Sequence, residues 1–200
     1  MGVLPIFNRK IEKMENIIRF MLEDDADEPT YGSALASGLD VTAFKILKVF
    51  RGDREIDPEK LKEVQKGFNE RGYIKLRSLE RILFGTGVYA NLPEDMELQV
   101  RARSGMALKR GLSVLNGPGT VDADYQGEIG IILYNSTPFL NKVEKGERIA
   151  QLVPAIVARP VIHNIYKNGS VNTEEYVMGI DPYIEPTERG TGSYGSTGNK

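Results

Sequence analysis

The stretch at 100–134, VRARSGMALKRGLSVLNGPGTVDADYQGEIGIILY, constrains the fold most. Leading into it, Met96, Leu98, Val100 and Ala102 alternate with Glu97, Gln99, Arg101 and Arg103. That period of two puts one face of a strand in a core and leaves the other polar. The strand ends in Arg103-Ser104-Gly105, a guanidinium and a hydroxyl at an expected turn. Leu112, Val114 and Val121 then flank Asn116-Gly117-Pro118-Gly119, strong turn formers that fold the segment back on itself as a hairpin. Asp122, Asp124 and Tyr125 follow, and Gly127-Glu128 leads into an apolar run at 129–134 that reads as a fully buried strand. A strand, turn, hairpin and strand leave the polar groups on loops between rigid elements, where binding and catalytic groups concentrate.

The rest of the chain reads the same way. Ile18, Phe20 and Leu22 alternate with Arg19 and Met21, which predicts a first strand. Glu23-Asp24-Asp25 reads as a solvated turn, because the central glycine and terminal glutamate of a calcium loop are missing. The segment 29–40, PTYGSALASGLD, is a loop that enters a strand at Leu39. Ile74 with Leu76, then 82–89, 149–157 and 161–166, carry strand character, and Gly85 and Gly87 mark a bulge or turn. Many short strands with glycine and proline punctuation predict an all-β barrel or jelly roll.

One helix interrupts this pattern, within an insertion at about 53–72. Asp57-Pro58 supplies an N-cap and a proline at the first helical position, Leu61, Val64 and Phe68 share a face, and Gly72 can cap the end. The expectation is a peripheral decoration covering an edge or side of the barrel, with docking of a protein partner as the sharper alternative. His163, the only histidine, stands in an apolar run and reads as structural.

Composition excludes several classes. With 26 basic and 28 acidic residues the net charge is −2, which gives no footprint for nucleic acid or a membrane surface. The absence of cysteine rules out disulfides and thiolate zinc sites and suits a reducing cytosol. No apolar run reaches the ~18 residues of a membrane-spanning helix, and the first residues lack a signal-peptide core, so a soluble cytoplasmic protein is expected. Two hundred residues suit one domain, placed at 1–188, followed by an arm at 189–200. That arm, RGTGSYGSTGNK within the last twelve residues, cannot form a core, and disorder is its default. Its bare N–H groups and hydroxyls are also what could wrap a polyphosphate, although it lacks the order of a Walker A loop.

Five segments in sequence, SGLDVTA at 37–43, RSGMALKRG at 103–111, NGPGTVDADYQGEIG at 116–130, GERIAQLV at 146–153 and RGTGSYGSTG at 189–198, together resemble the homotrimeric dUTP diphosphatases, the dUTPase family. The resemblance implies a dUTPase-like β-barrel or jelly roll of the β-clip type, with a flexible glycine-rich C-terminal arm. It implies hydrolysis of dUTP to dUMP and pyrophosphate, which keeps uracil out of DNA and supplies dUMP for thymidylate synthesis. Asp122 matches the family's general base, which activates water for attack on the α-phosphorus. Asp124 is the neighbouring alternative, which the family pattern disfavours. With histidine and cysteine unusable, a carboxylate is also the base that the residues themselves allow.

By the same resemblance Tyr125 packs on deoxyribose and refuses a 2′-hydroxyl, while Asn116, Gly119 and the hairpin backbone read the uracil edge. Arg103, Ser104 and Gly105 are similar to the family's phosphate binders, and Gln151 matches the glutamine that meets the α-phosphate. Asp40 is the aspartate of the first segment, a support of the site rather than the base, and Arg148 is expected in structural ion pairs. Arg189 should meet the γ-phosphate, Tyr194 should stack over uracil, and Gly195, Ser196 and Thr197 should line the phosphates. Ser37 and Tyr194 depart from the alanine and the phenylalanine or histidine usual there. Mg²⁺ is implied as a cofactor held by the substrate phosphates and water, with no protein ligand. A homotrimer with sites drawn from more than one chain is implied as well.

Two rivals remain. A dCTP deaminase-like enzyme shares the fold, but it uses a glutamate on the strand after the third segment, where this chain reads Ile129-Gly130-Ile131-Ile132-Leu133. It also shows Asp-Pro-Gly-Phe where Asp122-Ala123-Asp124-Tyr125 stands here. A regulatory, nucleotide-switched binding protein could use the 53–72 insertion and the lengthened segment at 167–187 for a partner.

Overall fold

The computed structural model of the protein describes residues 17–160. The strand expected at 161–166 with His163, the segment 167–187, and the arm with Arg189, Tyr194, Gly195, Ser196 and Thr197 lie outside the described residues. In chain order the elements are β1 (Arg19–Leu22), β2 (Thr30–Tyr31), β3 (Leu39–Thr42), β4 (Lys45–Arg51), β5 (Arg54–Glu55) and helix α1 (Pro58–Arg71). Then come β6 (Tyr73–Leu76), β7 (Glu80–Gly85), β8 (Val88–Asn91), β9 (Met96–Ala102) and helix α2 (Ser104–Arg110). The last are β10 (Leu112–Val114), β11 (Gly119–Val121), β12 (Gly130–Asn135), β13 (Asn141–Glu144) and β14 (Arg148–Ile156).

The all-β expectation holds, but the strands do not close into one barrel. They form two open five-stranded sheets, ordered β10-β12-β7-β4-β5 and β11-β9-β14-β3-β2, with β1-β8 and β13-β6 as separate pairs. One core joins the two large sheets: Val41, Leu98, Val100 and Leu152 from one pack in the same cluster as Val49, Ile82, Phe84, Ile131 and Leu133 from the other. The alternation predicted at 96–102 appears as β9, with Met96, Leu98 and Val100 buried.

Three local expectations are corrected. The segment after Arg103 is a two-turn helix rather than a turn. Ala107, Leu108 and Lys109 are strong helix formers, Met106 is buried as its anchor, and Gly111 ends it in the left-handed region at φ 60° with its N–H on the Ala107 carbonyl. The chain does reverse at Asn116-Gly117-Pro118-Gly119, but β10 and β11 do not pair with each other. β10 joins β12 in one sheet and β11 joins β9 in the other, so the reversal is a bridge between sheets. The run 129–134 is not fully buried either: along β12 Ile131, Leu133 and Asn135 are buried while Ile132 and Tyr134 are only partly so.

The insertion folds as predicted and packs deeper than predicted. Asp57 caps α1 by accepting the Lys60 N–H at 2.9 Å, Pro58 opens the helix, and Gly72 closes it at φ 72°. Leu61 and Val64 pack on the core, and Phe68 is fully buried within it, its ring centroid 6.1 Å from that of Phe84. Burying a phenylalanine contributes roughly 1.5–3 kcal/mol, so α1 is part of the core and not a removable cover.

Candidate active site

Strands β3, β14 and β9 lie side by side, and their register brings three distant segments together. Gln151 on β14 stands opposite Asp40 on β3 and Arg101 on β9, while Ala150 stands opposite Ala102, directly before Arg103. Asp40 is buried, and its carboxylate is the hub. It accepts from Arg103 Nε at 3.0 Å, Arg148 Nη1 at 3.0 Å and Gln151 Nε2 at 3.3 Å. A buried carboxylate is costly unless paired and hydrogen-bonded, and these donors meet that need. The expected ion pair of Arg148 is therefore present, and Arg103 caps α2 with its backbone while its side chain reaches back to β3.

Above this hub lies a pocket of about 300 Å³ lined by Arg103, Ser104, Gly105, Lys109, Arg110 and Gln151, with Met106 and Glu147. Open space surrounds Gly105 where a Cβ would stand, which leaves the backbone approachable. Lys109, Arg110 and Glu147 were not expected here. Arg110 is fixed by the Glu147 carboxylate and the Lys142 carbonyl. Their signal lay in the charges of 103–111 and 146–153 themselves, but only the helix turns Lys109 and Arg110 toward the pocket. The lining is cationic and amide-bearing, and its one carboxylate is engaged by Arg110, a donor set suited to phosphate oxygens.

The other predicted residues gather elsewhere. Gly119 is buried in β11 beneath the Asn116 amide, and Asp122 and Tyr125 are exposed on the loop that follows. The Tyr125 N–H donates to the Asp122 carbonyl at 3.1 Å and its hydroxyl to the Glu128 carbonyl at 3.0 Å. Gly127 leaves room for the ring where it stands, since a Cβ there would lie 2.4 Å from the Tyr125 hydroxyl and move it. None of these residues lines the pocket of Arg103. Val121 pairs with Leu98, so Asp122 leaves β11 near Glu97 while Arg103 lies past the other end of β9. At ~3.3 Å per residue that is roughly 20 Å along the strand. Within one chain the described residues thus fall into two separate groups, a cationic pocket and an aspartate-tyrosine loop.

Comparison with known proteins decides the family. The dUTPase family model matches residues 70–198. The chain belongs to the dUTPase family. Deoxyuridine 5′-triphosphate nucleotidohydrolase of Hydrogenobaculum sp. is 37% identical over 90% of this chain and 95% of its own. The protein of the same name from Treponema denticola is 42% identical over 62% of this chain and 76% of its own. Among solved structures, a mutant dUTPase of Staphylococcus bacteriophage 80alpha with dUpNHpp aligns with TM-score 0.61 at 21% identity, covering 92% of this chain and 99% of that one. A mutant dUTPase of phage phi11 of S. aureus, whose structure describes coordination of a structural Mg(II) ion, aligns at TM-score 0.55 and 18% identity over 75% and 97%. The likeness to these two carries the dUTPase fold. The family match begins at residue 70, so most of α1 and the Asp40 hub lie ahead of it, while the Hydrogenobaculum relative aligns over nearly the whole chain. Among the described residues, no helix is long and apolar enough to cross a membrane.

Proposed function

We infer that the chain hydrolyses dUTP to dUMP and pyrophosphate, with Asp122 activating the water that attacks the α-phosphorus. The observation that carries this reading is the cationic pocket anchored on Asp40, in a chain that belongs to the dUTPase family. Arg103, Ser104, Gly105 and Gln151 are the phosphate donors, and Asp40 holds Arg103 and Gln151 in place before substrate arrives. Such preorganised donors stabilise developing charge without reorganisation during the reaction. Tyr125 presents its ring to the sugar, and Asn116 with Gly119 reads the base.

The separation of the pocket from the aspartate-tyrosine loop supports a site assembled between chains. One chain's pocket then receives the Asp122 loop of a neighbour, which fits a homotrimer with three shared sites. Arg189, Tyr194, Gly195, Ser196 and Thr197 complete each site as an arm that closes over the nucleotide and excludes water from the reacting phosphate. A Mg²⁺ ion held by the substrate rather than by the chain would neutralise part of the triphosphate's charge, beside the donors of Arg103, Ser104 and Gln151. The pocket's cationic lining suits that arrangement better than direct ligation of a metal by the chain.

Purified protein given dUTP, dCTP and UTP, with pyrophosphate and ammonia measured separately, tests the reading. Pyrophosphate from dUTP with little from UTP is the expected result. Ammonia from dCTP, or binding of dUTP without turnover, would replace it with a deaminase or a nucleotide-switched binding protein.

A further inference from the structure

The loop carrying Asp122 and Tyr125 is tied down at its far end by a cluster of charges outside the pocket. Glu128 has a side chain only 12% exposed, and both its oxygens are engaged. Its Oε1 accepts the Gly87 N–H at 2.7 Å, and its Oε2 lies 3.2 Å from the Lys45 ammonium. Lys45 also donates to Glu23 Oε1 at 2.5 Å, and the same oxygen accepts the Tyr89 hydroxyl at 3.0 Å. Glycine at 85 makes room for this arrangement, since a Cβ there would stand 2.5 Å from Glu128 Oε1 and 3.0 Å from Lys45 Cε.

Glu128 faces both ways. Its carboxylate belongs to the cluster, and its carbonyl accepts the Tyr125 hydroxyl, while Tyr125 in turn closes on the Asp122 carbonyl through its N–H. The connection from Glu23 through Lys45, Glu128 and Tyr125 to Asp122 is therefore unbroken, and it joins β1 and β4 to the loop. Two carboxylates sharing one partly buried ammonium are less screened than surface pairs, and such a pair fixes geometry more surely than it adds stability. Partial burial pulls the Lys45 ammonium down, but its bonds to Glu23 and Glu128 outweigh this and hold it above the ordinary lysine range.

We propose that Lys45 is a positioning residue for the Asp122–Tyr125 loop, acting through Glu128 and held from behind by Glu23. The proposal rests on the reading of Asp122 as base and Tyr125 as the sugar gate. A clamp that merely fastened β1 to β4 would alter stability alone. A positioning clamp also alters turnover per folded molecule and the choice between dUTP and UTP.

The test compares the wild type with Lys45→Met, Lys45→Arg, Glu128→Gln and the double variant Lys45→Met/Glu128→Gln. Lys48→Met, which removes an exposed pair with Glu55 on the same strand, is the control. Lys45→Met is expected to lose between about tenfold and a hundredfold in kcat, the scale of a small misplacement of reacting groups. Its preference for dUTP over UTP should narrow, Lys45→Arg should recover most of both properties, and Lys48→Met should keep both. The double variant should be no worse than the poorer single one, as expected for residues acting in one connection. Wild-type kcat and preference in Lys45→Met, or a loss that disappears once activity is counted per folded molecule, would overturn the proposal.

If Lys45→Met does not fold, Glu128→Gln decides, because it keeps an acceptor for Gly87 and leaves Lys45 with Glu23. Unchanged kcat and preference in that variant overturn the proposal. Absence of dUTP turnover in the wild type would mean that the functional reading has failed. Amide exchange over 122–128 then decides positioning by itself: faster exchange in Lys45→Met than in wild type supports it, and equal protection overturns it.

Discussion

Arg103 donates from its Nε to Asp40 Oδ1 at 3.0 Å, joining the end of β9 to the middle of β3 across β14. The same carboxylate receives Arg148 and Gln151, so a single buried oxygen pair holds three donors, of which Arg103 and Gln151 line the pocket. Asp40→Asn keeps the shape and removes the charge. Arg103 and Arg148 are partly exposed and can turn to water, so the stability loss should be modest, about 1–3 kcal/mol. kcat/KM for dUTP should fall far more than stability does, because both Arg103 and Gln151 lose their anchor. Urea unfolding beside steady-state kinetics checks this.

Phe68→Ala should destabilise the fold by about 3–5 kcal/mol, the usual cost of emptying a buried phenylalanine site. Turnover per folded molecule should hardly change, since α1 contributes no residue to the pocket of Arg103. Replacing 53–72 by a short glycine-serine loop should be at least as costly. Chemical denaturation with activity measured at low temperature separates the two effects.

Gly127→Ala places a methyl group against the Tyr125 ring and should displace it. The expected outcome is a narrower preference for dUTP over UTP, read as the ratio of kcat/KM values, with melting close to wild type because the loop is exposed.

The Lys45 cluster makes a prediction about pH. The hydrogen bond from Lys45, opposed by desolvation and aided by the Tyr89 hydroxyl, holds the Glu23 carboxyl below its ordinary value of 4.5. Its contribution is present above that value and lost as pH falls through the lower folded one. Against desolvation, its bonds to Glu23 and Glu128 hold Lys45 above its ordinary 10.5. Its contribution is present below that value and lost as pH rises through the folded one. The difference in Tm between wild type and Lys45→Met should therefore be flat from about pH 5 to about pH 10 and shrink on both sides. Thermal melts across that range are the check, and a difference that peaks at either extreme would contradict it.

Much of this was legible in the sequence. The period of two at 96–102 and the cap signals at 57–58 and 72 are local, and the strand and helix formed where those signals stand. Helix α2 was not legible because two turns with one buried residue, Met106, leave no periodic stripe to see. The depth of Phe68 was hidden because its partner, Phe84, lies beyond the helix, in strand β7. The Asp40 hub depends on register between three strands, and no spacing along the chain records which residue of β14 stands opposite Asp40. The segment at 116–119 announced a reversal, but not that β10 and β11 would go to different sheets, since a turn signal says nothing about partners.

On the reading proposed above, Asp122 serves a pocket built around Arg103 on another chain, roughly 20 Å being too far within one. Mixing two variants, Asp122→Asn and Arg103→Ala, each inactive alone, tests it directly. If the oligomer draws each site from two chains, random mixed assemblies should regain roughly a quarter of wild-type dUTP hydrolysis, because that share of sites combines an intact pocket with an intact base. Verified mixed oligomers that stay as inactive as their parents would contradict it, and would place pocket and base of each site on the same chain.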